Sequence, residues 1–298
     1  MNQKIVLAGG TGFIGKYLTT QFRALGYEVL IISRGEGSIK WNDKAGIVAA
    51  IDNAAMLINL AGKSVDCRYN EANKAGIFSS RTETTKALGE ALLKCSNPPE
   101  LWLNSSTATI YRHAEDRPMT ESTGEIGTGF SVDVAKAWEE TFFSFSLPHT
   151  RQVALRIAIV LGKDGGVMKP FVNLVRFGLG GKQGNGNQMF SWIHLEDLYR
   201  IILFLQSHKE LQGAFNCSAP APVNNSTLMK TLRETMGATF GLPSPAWLLK
   251  IGAAVINTET ELILKSRRVI PERLLQAGFV FKYPTIGETL EEILRSAK

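Results

Sequence analysis

The opening of the chain, Ile5-Val6-Leu7-Ala8-Gly9-Gly10-Thr11-Gly12-Phe13-Ile14-Gly15, constrains its fold more than any other stretch. A short unbroken apolar run predicts a strand buried on both faces. It breaks into glycines at 9, 10, 12 and 15, and Ile14, Leu18, Phe22 and Leu25 then recur at helical spacing until Gly26 ends the helix. A second strand, Glu28 to Ser33, closes the unit. Strand, glycine turn and amphipathic helix in this order form the phosphate-binding corner of a dinucleotide fold. Glycine permits a tight turn, lets the backbone approach a pyrophosphate, and lets helix and strand pack closely. The helix start adds unpaired N–H groups and the positive end of a dipole. Gly9, Thr11, Gly12, Phe13, Ile14 and Gly15 are therefore candidate cofactor-binding residues. The competing reading is a glycine-rich β-α turn that binds nothing.

Alternation continues along the chain. Strands are predicted around Ile39-Lys40-Trp41, at Met56 to Leu60, Leu101 to Ser105 and Gln152 to Leu161. Helices are predicted at Ile47 to Ile51, Ala75 to Leu93 and Val132 to Phe145, the last with a core stripe of Ala135, Trp138, Phe142 and Phe145. This pattern means an α/β fold: a Rossmann-type doubly wound parallel sheet with right-handed crossovers. After about residue 163 the pattern loosens. A helix at Met168 to Phe177 precedes a glycine-rich loop, Gly178 to Asn187, which has no strand before it and reads as flexible or ligand-covering. Trp192-Ile193-His194 leads into a helix over Glu196 to Leu205, followed by a short strand at Gly213 to Asn216 and a helix at Asn225 to Met236. Pro243 and Pro245 mark a boundary, beyond which come a basic helical segment (Leu262 to Arg268), the stretch Pro271 to Gly278, and a last helix from Ile286. The expected division is a nucleotide domain at 1–163, its sheet completed by later segments, and a smaller C-terminal α/β lobe at 164–298 that carries the substrate over the strand ends.

Bulk properties narrow the function classes. The 298 residues are 44% hydrophobic and 20% charged, as in an ordinary soluble globular protein. The net charge of +6 comes from scattered Lys and Arg with no basic run, which argues against a nucleic-acid partner and agrees with an anionic small molecule. Cys67, Cys95 and Cys217 show no metal or redox spacing and read as reduced thiols, so no metal is expected. No apolar run approaches membrane-spanning length, and a strand beginning by residue 4 leaves no room for a leader, so a cytoplasmic protein without a membrane partner is expected. The oligomeric state is not legible.

The second strand chooses between dinucleotides. An acid near its end binds a ribose 2′-hydroxyl, whereas Arg suits a 2′-phosphate. Here Ser33 and Arg34 stand at that end with no acid, so NADP is expected over NAD; the competing reading of Arg34 is a solvated surface charge.

Taken together, Gly9 to Gly15, Asn59-Leu60-Ala61-Gly62 and Ser105-Ser106-Thr107-Ala108-Thr109-Ile110-Tyr111 resemble the extended short-chain dehydrogenases, the superfamily of nucleotide-sugar epimerases. Lys136-Ala137-Trp138-Glu139, Gln188 to His194, and Arg268-Val269-Ile270-Pro271 with Gly278-Phe279 are similar to its atypical epimerase-like branch, which carries a C-terminal domain of unknown function. The resemblance runs nearly end to end. It implies a Rossmann domain with bound NADP, contacts from Leu60, Ala61 and Gly62, and a family machinery of one Ser or Thr hydroxyl plus Tyr-x-x-x-Lys on the next helix. Thr107 matches the hydroxyl and Lys136 the Lys, which would also hold the nicotinamide ribose. The Tyr position is Val132, and valine cannot move a proton.

Candidate replacements are Tyr111 after the strand, Asp133 beside the vacant position, and His194; each has a bland reading as core aromatic, helix-start acid or satisfied structural histidine. Gln188, Trp192 and His194 look like the segment that covers substrate in related epimerases, the alternative being a surface turn followed by a core Trp. Arg81 is explained as well by a helix-face salt bridge, and Arg267 and Arg268 by a solvated face. Two functions follow from the resemblance. One is an NADP-dependent oxidoreductase or isomerase acting on a hydroxyl or keto group of a nucleotide-linked or phosphorylated small molecule. The other is a non-catalytic NADP-binding regulator, for example of cell division.

Overall fold

The structure is a computed structural model describing residues 3–163, 165–244 and 265–295. Its centre is a six-stranded parallel sheet. The strands are β1 (Lys4–Ala8), β2 (Glu28–Ile32), β3 (Met56–Asn59), β4 (Leu101–Thr107), β5 (Arg151–Ile157) and β9 (Gly213–Cys217), in the order β2-β1-β3-β4-β5-β9. Alternate residues of each strand reach opposite faces. Ile5, Leu7, Ile58, Leu103, Val153, Leu155 and Phe215 pack against α1 (Phe13–Ala24) and α6 (Leu195–Ser207), through Leu18, Phe22, Leu198, Ile202 and Leu205. Val6, Ala8, Leu57, Trp102 and Ala154 pack on the other side against α2 (Lys44–Ile51), α3 (Glu71–Leu92) and α4 (Phe130–Phe143). Both faces are covered, which is why the central strands read as continuous apolar runs. The strand order reverses between β1 and β3, and the crevice at their carboxyl ends is where such sheets bind ligands.

Sheet completion comes from beyond residue 163, since β9 and α6 return to the sheet and Leu274 of α8 (Glu272–Gln276) joins the same core. The C-terminal lobe has a core of its own. There Trp192 of β8 (Trp192–His194), Leu228 and Leu232 of α7 (Asn225–Thr235), Met168 of α5 (Met168–Arg176) and Leu290 of α9 (Ile286–Arg295) meet. Three short strands, β6 (Ile159–Leu161), β7 (Met189–Phe190) and β10 (Val223–Asn224), pair as β6–β8 and β10–β7. Among the described residues no helix is long and apolar enough to cross a membrane, and no cluster of metal ligands occurs. All three cysteines are free thiols.

Several expectations change. The strand predicted over Gln152 to Leu161 is two strands, because the chain leaves the main sheet at Ala158 and pairs β6 with β8. Ile39 makes a single bridge to Ile32 and no third strand. The long helix starts at Glu71, where the Asn70 side chain accepts the N–H of Asn73. Of the predicted basic helix, Lys265 to Arg268 are not helical, and Leu262 to Leu264 lie outside the described residues, as does Pro245. The glycine-rich loop is tied down: Gly181 and Gly184 N–H groups donate to the carbonyls of Leu242 and Ser244, and the N–H groups of Leu242 and Ser244 donate back to Gly178 and Lys182.

Candidate dinucleotide site

The four glycines of the opening turn have different reasons to be there. Gly9 has φ +81°, and a Cβ on it would lie 2.7 Å from the backbone N of Ala61. A Cβ on Gly15 would lie 2.6 Å from Gly10 Cα, so helix and strand touch there. Gly12 is different. Its φ of −77° and ψ of 176° suit any residue, and a Cβ would meet only Gly9 O, at 3.7 Å. Nothing among the described residues requires glycine at 12, and its backbone dihedrals are open to a side chain. Gly12 is the N-cap of α1 and supplies no side-chain hydrogen bond, and the first turn of α1 carries no acid. The amides that start α1 thus face an exposed, glycine-lined cradle. Phe13 closes one wall, with its ring against Gly162 and Gly165, and Ile14 packs on the core beneath.

At the end of β2, Ser33 is buried; its hydroxyl meets Ser38 at 2.8 Å and accepts the Gly35 N–H. Arg34 is exposed, and its side chain has no carboxylate partner among the described residues. Lys40 folds back beside it, donating to the carbonyls of Arg34 and Gly35. Two cations thus stand at the rim of the cradle.

The turn after β3 is shaped by a buried polar cluster that sequence reasoning left without a role. Asn59 Nδ2 donates to Asn104 Oδ1 at 2.7 Å and to Thr85 Oγ1 at 3.1 Å, and Asn59 Oδ1 accepts the Ala61 N–H. Trp138 Nε1 of α4 donates to Thr85 at 2.9 Å. This cluster fixes Leu60, Ala61 and Gly62 beneath Gly9. A signal was present in the sequence: an Asn ends the apolar run of each strand, and Asn59 and Asn104 are register partners.

The catalytic candidates separate. Thr107 stands half-exposed at the carboxyl end of β4, its Oγ1 accepting the Thr109 N–H at 3.1 Å, which leaves its own proton for a ligand oxygen. Tyr111 is a core residue instead of a relocated acid. It is 0% exposed; its hydroxyl donates to Asn216 Oδ1 and accepts from Arg156 Nη1, both at 2.9 Å, and burial raises its pKa. Lys136 is exposed on α4, whereas the residue that packs with Ala108 and Tyr111 is Ala135, about 100° away around the helix. Val132 is fully buried, so a phenol there would be enclosed, and Asp133 is exposed. Position 132 thus supplies no phenol one turn before Lys136.

Gln188, Trp192 and His194 are all buried, and Gln188 Oε1 and Trp192 Nε1 have no hydrogen-bond partner among the described residues. Trp192 is in the core of the C-terminal lobe, and buried Gln188 donates to Gln183 O at 2.9 Å. His194 is the N-cap of α6: Nδ1 accepts the Glu196 N–H at 3.1 Å, Nε2 meets Glu292 at 3.0 Å, and the ring packs on Tyr283. Accepting at Nδ1 requires a neutral ring with the proton on Nε2. Burial is the main reason that its pKa lies below the ordinary value, with Glu292 opposing. The folded state therefore disfavours the imidazolium, and stability is lost as pH falls below the unfolded pKa of about 6.5. The melting temperature should drop on acidification through that window. His194→Asn, which keeps a capping oxygen, should flatten the dependence; an equal slope in the variant would assign it to other groups.

A second concavity, of about 430 Å³, lies at the β5–β9 edge among Glu121, Arg156, Ala214 and Arg273, away from the glycine cradle.

A family model for the NAD dependent epimerase/dehydratase family matches residues 5–218. The chain belongs to this family. Residues 244–293 match a domain of unknown function, DUF1731. Human epimerase family protein SDR39U1 is 32% identical over 298 residues, 98% of this chain and 99% of the relative. Epimerase family protein ML0860 of Mycobacterium leprae is 32% identical over 295 residues, 96% of this chain and 94% of the relative. Among solved structures, human SDR39U1 with NADPH superposes with a TM-score of 0.89 at 31% identity, covering 98% of this chain and 99% of that one. A nucleoside-diphosphate sugar epimerase from Corynebacterium glutamicum gives 0.77 at 27% identity, with 98% of this chain covering 59% of that one. As an epimerase/dehydratase family member with the DUF1731 extension, the chain combines a dinucleotide fold with a C-terminal segment that contributes Ser266 to Pro271 and the α9 side of the second core.

Proposed function

We propose that this protein binds NADP(H) in the Gly9–Gly15 cradle and acts on a hydroxyl or keto group of a phosphorylated or nucleotide-linked small molecule. The observation that carries the cofactor reading is Gly12, a glycine that the fold does not need, standing before uncapped amides. Arg34 and Lys40 would take the 2′-phosphate, the α1 amides the pyrophosphate, and the Leu60–Gly62 turn would line the path between strand ends. The human relative was solved with NADPH, which supports the same choice. Bound NADP(H) supplies two-electron redox chemistry; Thr107 would orient the reacting oxygen through its free proton. A soluble, cytoplasmic protein without nucleic-acid or membrane partners remains the reading of its composition.

A second reading has its own observation. Because α4 presents Ala135 to the β4 end and Tyr111 is sealed, a non-catalytic NADP(H)-binding regulator needs nothing that the site lacks. Calorimetry tests the shared part: NADPH should bind about tenfold more tightly than NADH, and Arg34→Ala should erase the difference by removing a charge-assisted pairing. Equal wild-type affinities would overturn the NADP assignment. Steady-state NADPH oxidation over a panel of keto compounds separates the two readings, silence with tight binding favouring the regulator.

A further inference from the structure

Arg81 on α3 forms no helix-face salt bridge: no carboxylate of the described residues pairs with it. Its Nη1 donates to the carbonyls of Lys63 at 3.1 Å and Ile77 at 3.0 Å. Its guanidinium lies over the Trp138 ring at 5.1 Å. Nε and Nη2 have no acceptor among the described residues, and neither is sealed from solvent. Burial lowers its pKa, with Tyr69 opposing and no carboxylate to offset it. A cation held in this way, mostly out of water and without a counter-ion, is favoured by an anion at its open edge.

The guanidinium lies beneath Gly62. A Cβ on that exposed glycine would be 3.2 Å from Cζ and 3.4 Å from Nη1 and Nη2. Glycine therefore leaves open the place where a side chain would cover the charge, at the carboxyl end of β3. Trp138, which carries the guanidinium, is fixed in turn through Thr85 to Asn59 and Asn104. An unused planar Nε–Nη2 edge matches the geometry of a phosphate or carboxylate.

We propose that Arg81 is an oxyanion receptor, its free edge taking a phosphate or carboxylate group of a ligand bound over Gly62. The proposal rests on the dinucleotide reading for its surroundings. The oxyanion belongs either to the dinucleotide's own pyrophosphate or to a second ligand beside it.

The test uses the full chain as wild type, Arg81→Gln and Arg81→Lys, with calorimetry of NADPH and NADH. In parallel, melting temperatures are taken in inorganic phosphate against chloride at matched ionic strength, with and without saturating NADPH. If the pyrophosphate is the partner, Arg81→Gln weakens NADPH and NADH alike by about tenfold, unlike Arg34→Ala, which acts on NADPH alone. If a second ligand is the partner, cofactor affinities hold and Arg81→Gln loses the phosphate-dependent rise of the NADPH-saturated protein. Either result supports the receptor. Wild-type values in both arms for Arg81→Gln would overturn it. Should Arg81→Gln fail to fold, Arg81→Lys decides, since it keeps the charge but not the planar two-donor edge: unchanged cofactor and phosphate responses overturn the proposal, and a loss in either supports it. A wild type that does not bind NADPH sinks the dinucleotide reading, and the phosphate arm on the unliganded protein then judges Arg81 alone.

Discussion

Gly12→Val is expected to give a folded protein that no longer binds NADPH. Its backbone angles suit valine, and the new Cβ meets nothing closer than 3.7 Å, so the fold loses only cap quality, about 1 kcal/mol. The branched side chain would instead occupy the space in front of the α1 amides. Gly15→Ala is the contrasting control. Its Cβ would lie 2.6 Å from Gly10 Cα, and forcing helix from strand should cost about 1–3 kcal/mol of stability. Thermal melts and calorimetry on both variants give the comparison. Wild-type affinity in Gly12→Val would mean that the cradle holds no phosphate.

The second large effect is expected away from the cradle, at Arg156→Ala. Arg156 grips Glu139 with Nε and Nη2 at 2.9 and 2.8 Å, both side chains almost wholly buried. Ser106 donates to the same carboxylate at 2.5 Å, and Tyr111 joins the group to Asn216, which donates to Ile270 O. Removing the guanidinium strands a buried carboxylate, at a cost of about 3–5 kcal/mol in urea unfolding. Replacing both partners, as Glu139→Gln with Arg156→Met, should cost far less than the single change, because no lone charge is left. Tyr111→Phe should behave as a member of this group, losing about 1–3 kcal/mol while leaving NADPH affinity intact. A Tyr111→Phe protein of full stability that had lost a wild-type turnover would restore Tyr111 to the chemistry.

The sheet, its helices and the glycine corner were legible because each rests on local periodicity: a run of Ile5 to Ala8 or Met56 to Ile58 states its own burial. The exposed place of Arg34 after β2 was legible from the end of the apolar run before it. The orientation of α4 was not. Residues four apart share a face, but spacing does not say which way that face turns, and α4 packs Ala135 with Ala108 and Tyr111 while leaving Lys136 exposed. The settings of Tyr111 and His194 are not legible, because their partners, Asn216 and Glu292, are 105 and 98 residues away in sequence. A polar residue's role is set by what it meets, and those meetings are nonlocal.

The stretch Ser266 to Ile270 threads between two parts of the chain made much earlier. Ser266 donates to Ala114 O and accepts from Met189 N, Ser191 bridges to Arg267 and Val269, and Met119 exchanges hydrogen bonds with Arg268 and Ile270. Its partners on the loop after β4 lie 152 and 153 residues upstream. A chain leaving the ribosome delivers this segment after both of its partners, so the loop around Met119 and the backbone at Met189 to Ser191 wait with open hydrogen-bonding groups until it arrives. All six strands of the sheet and its glycine corner emerge before it, while Leu274, Phe279 and Phe281, which join the core on the α1–α6 side, emerge after. Protein production should therefore pass through a stage in which a folded nucleotide corner coexists with an unfinished far wall, and chaperone demand would fall on that wall.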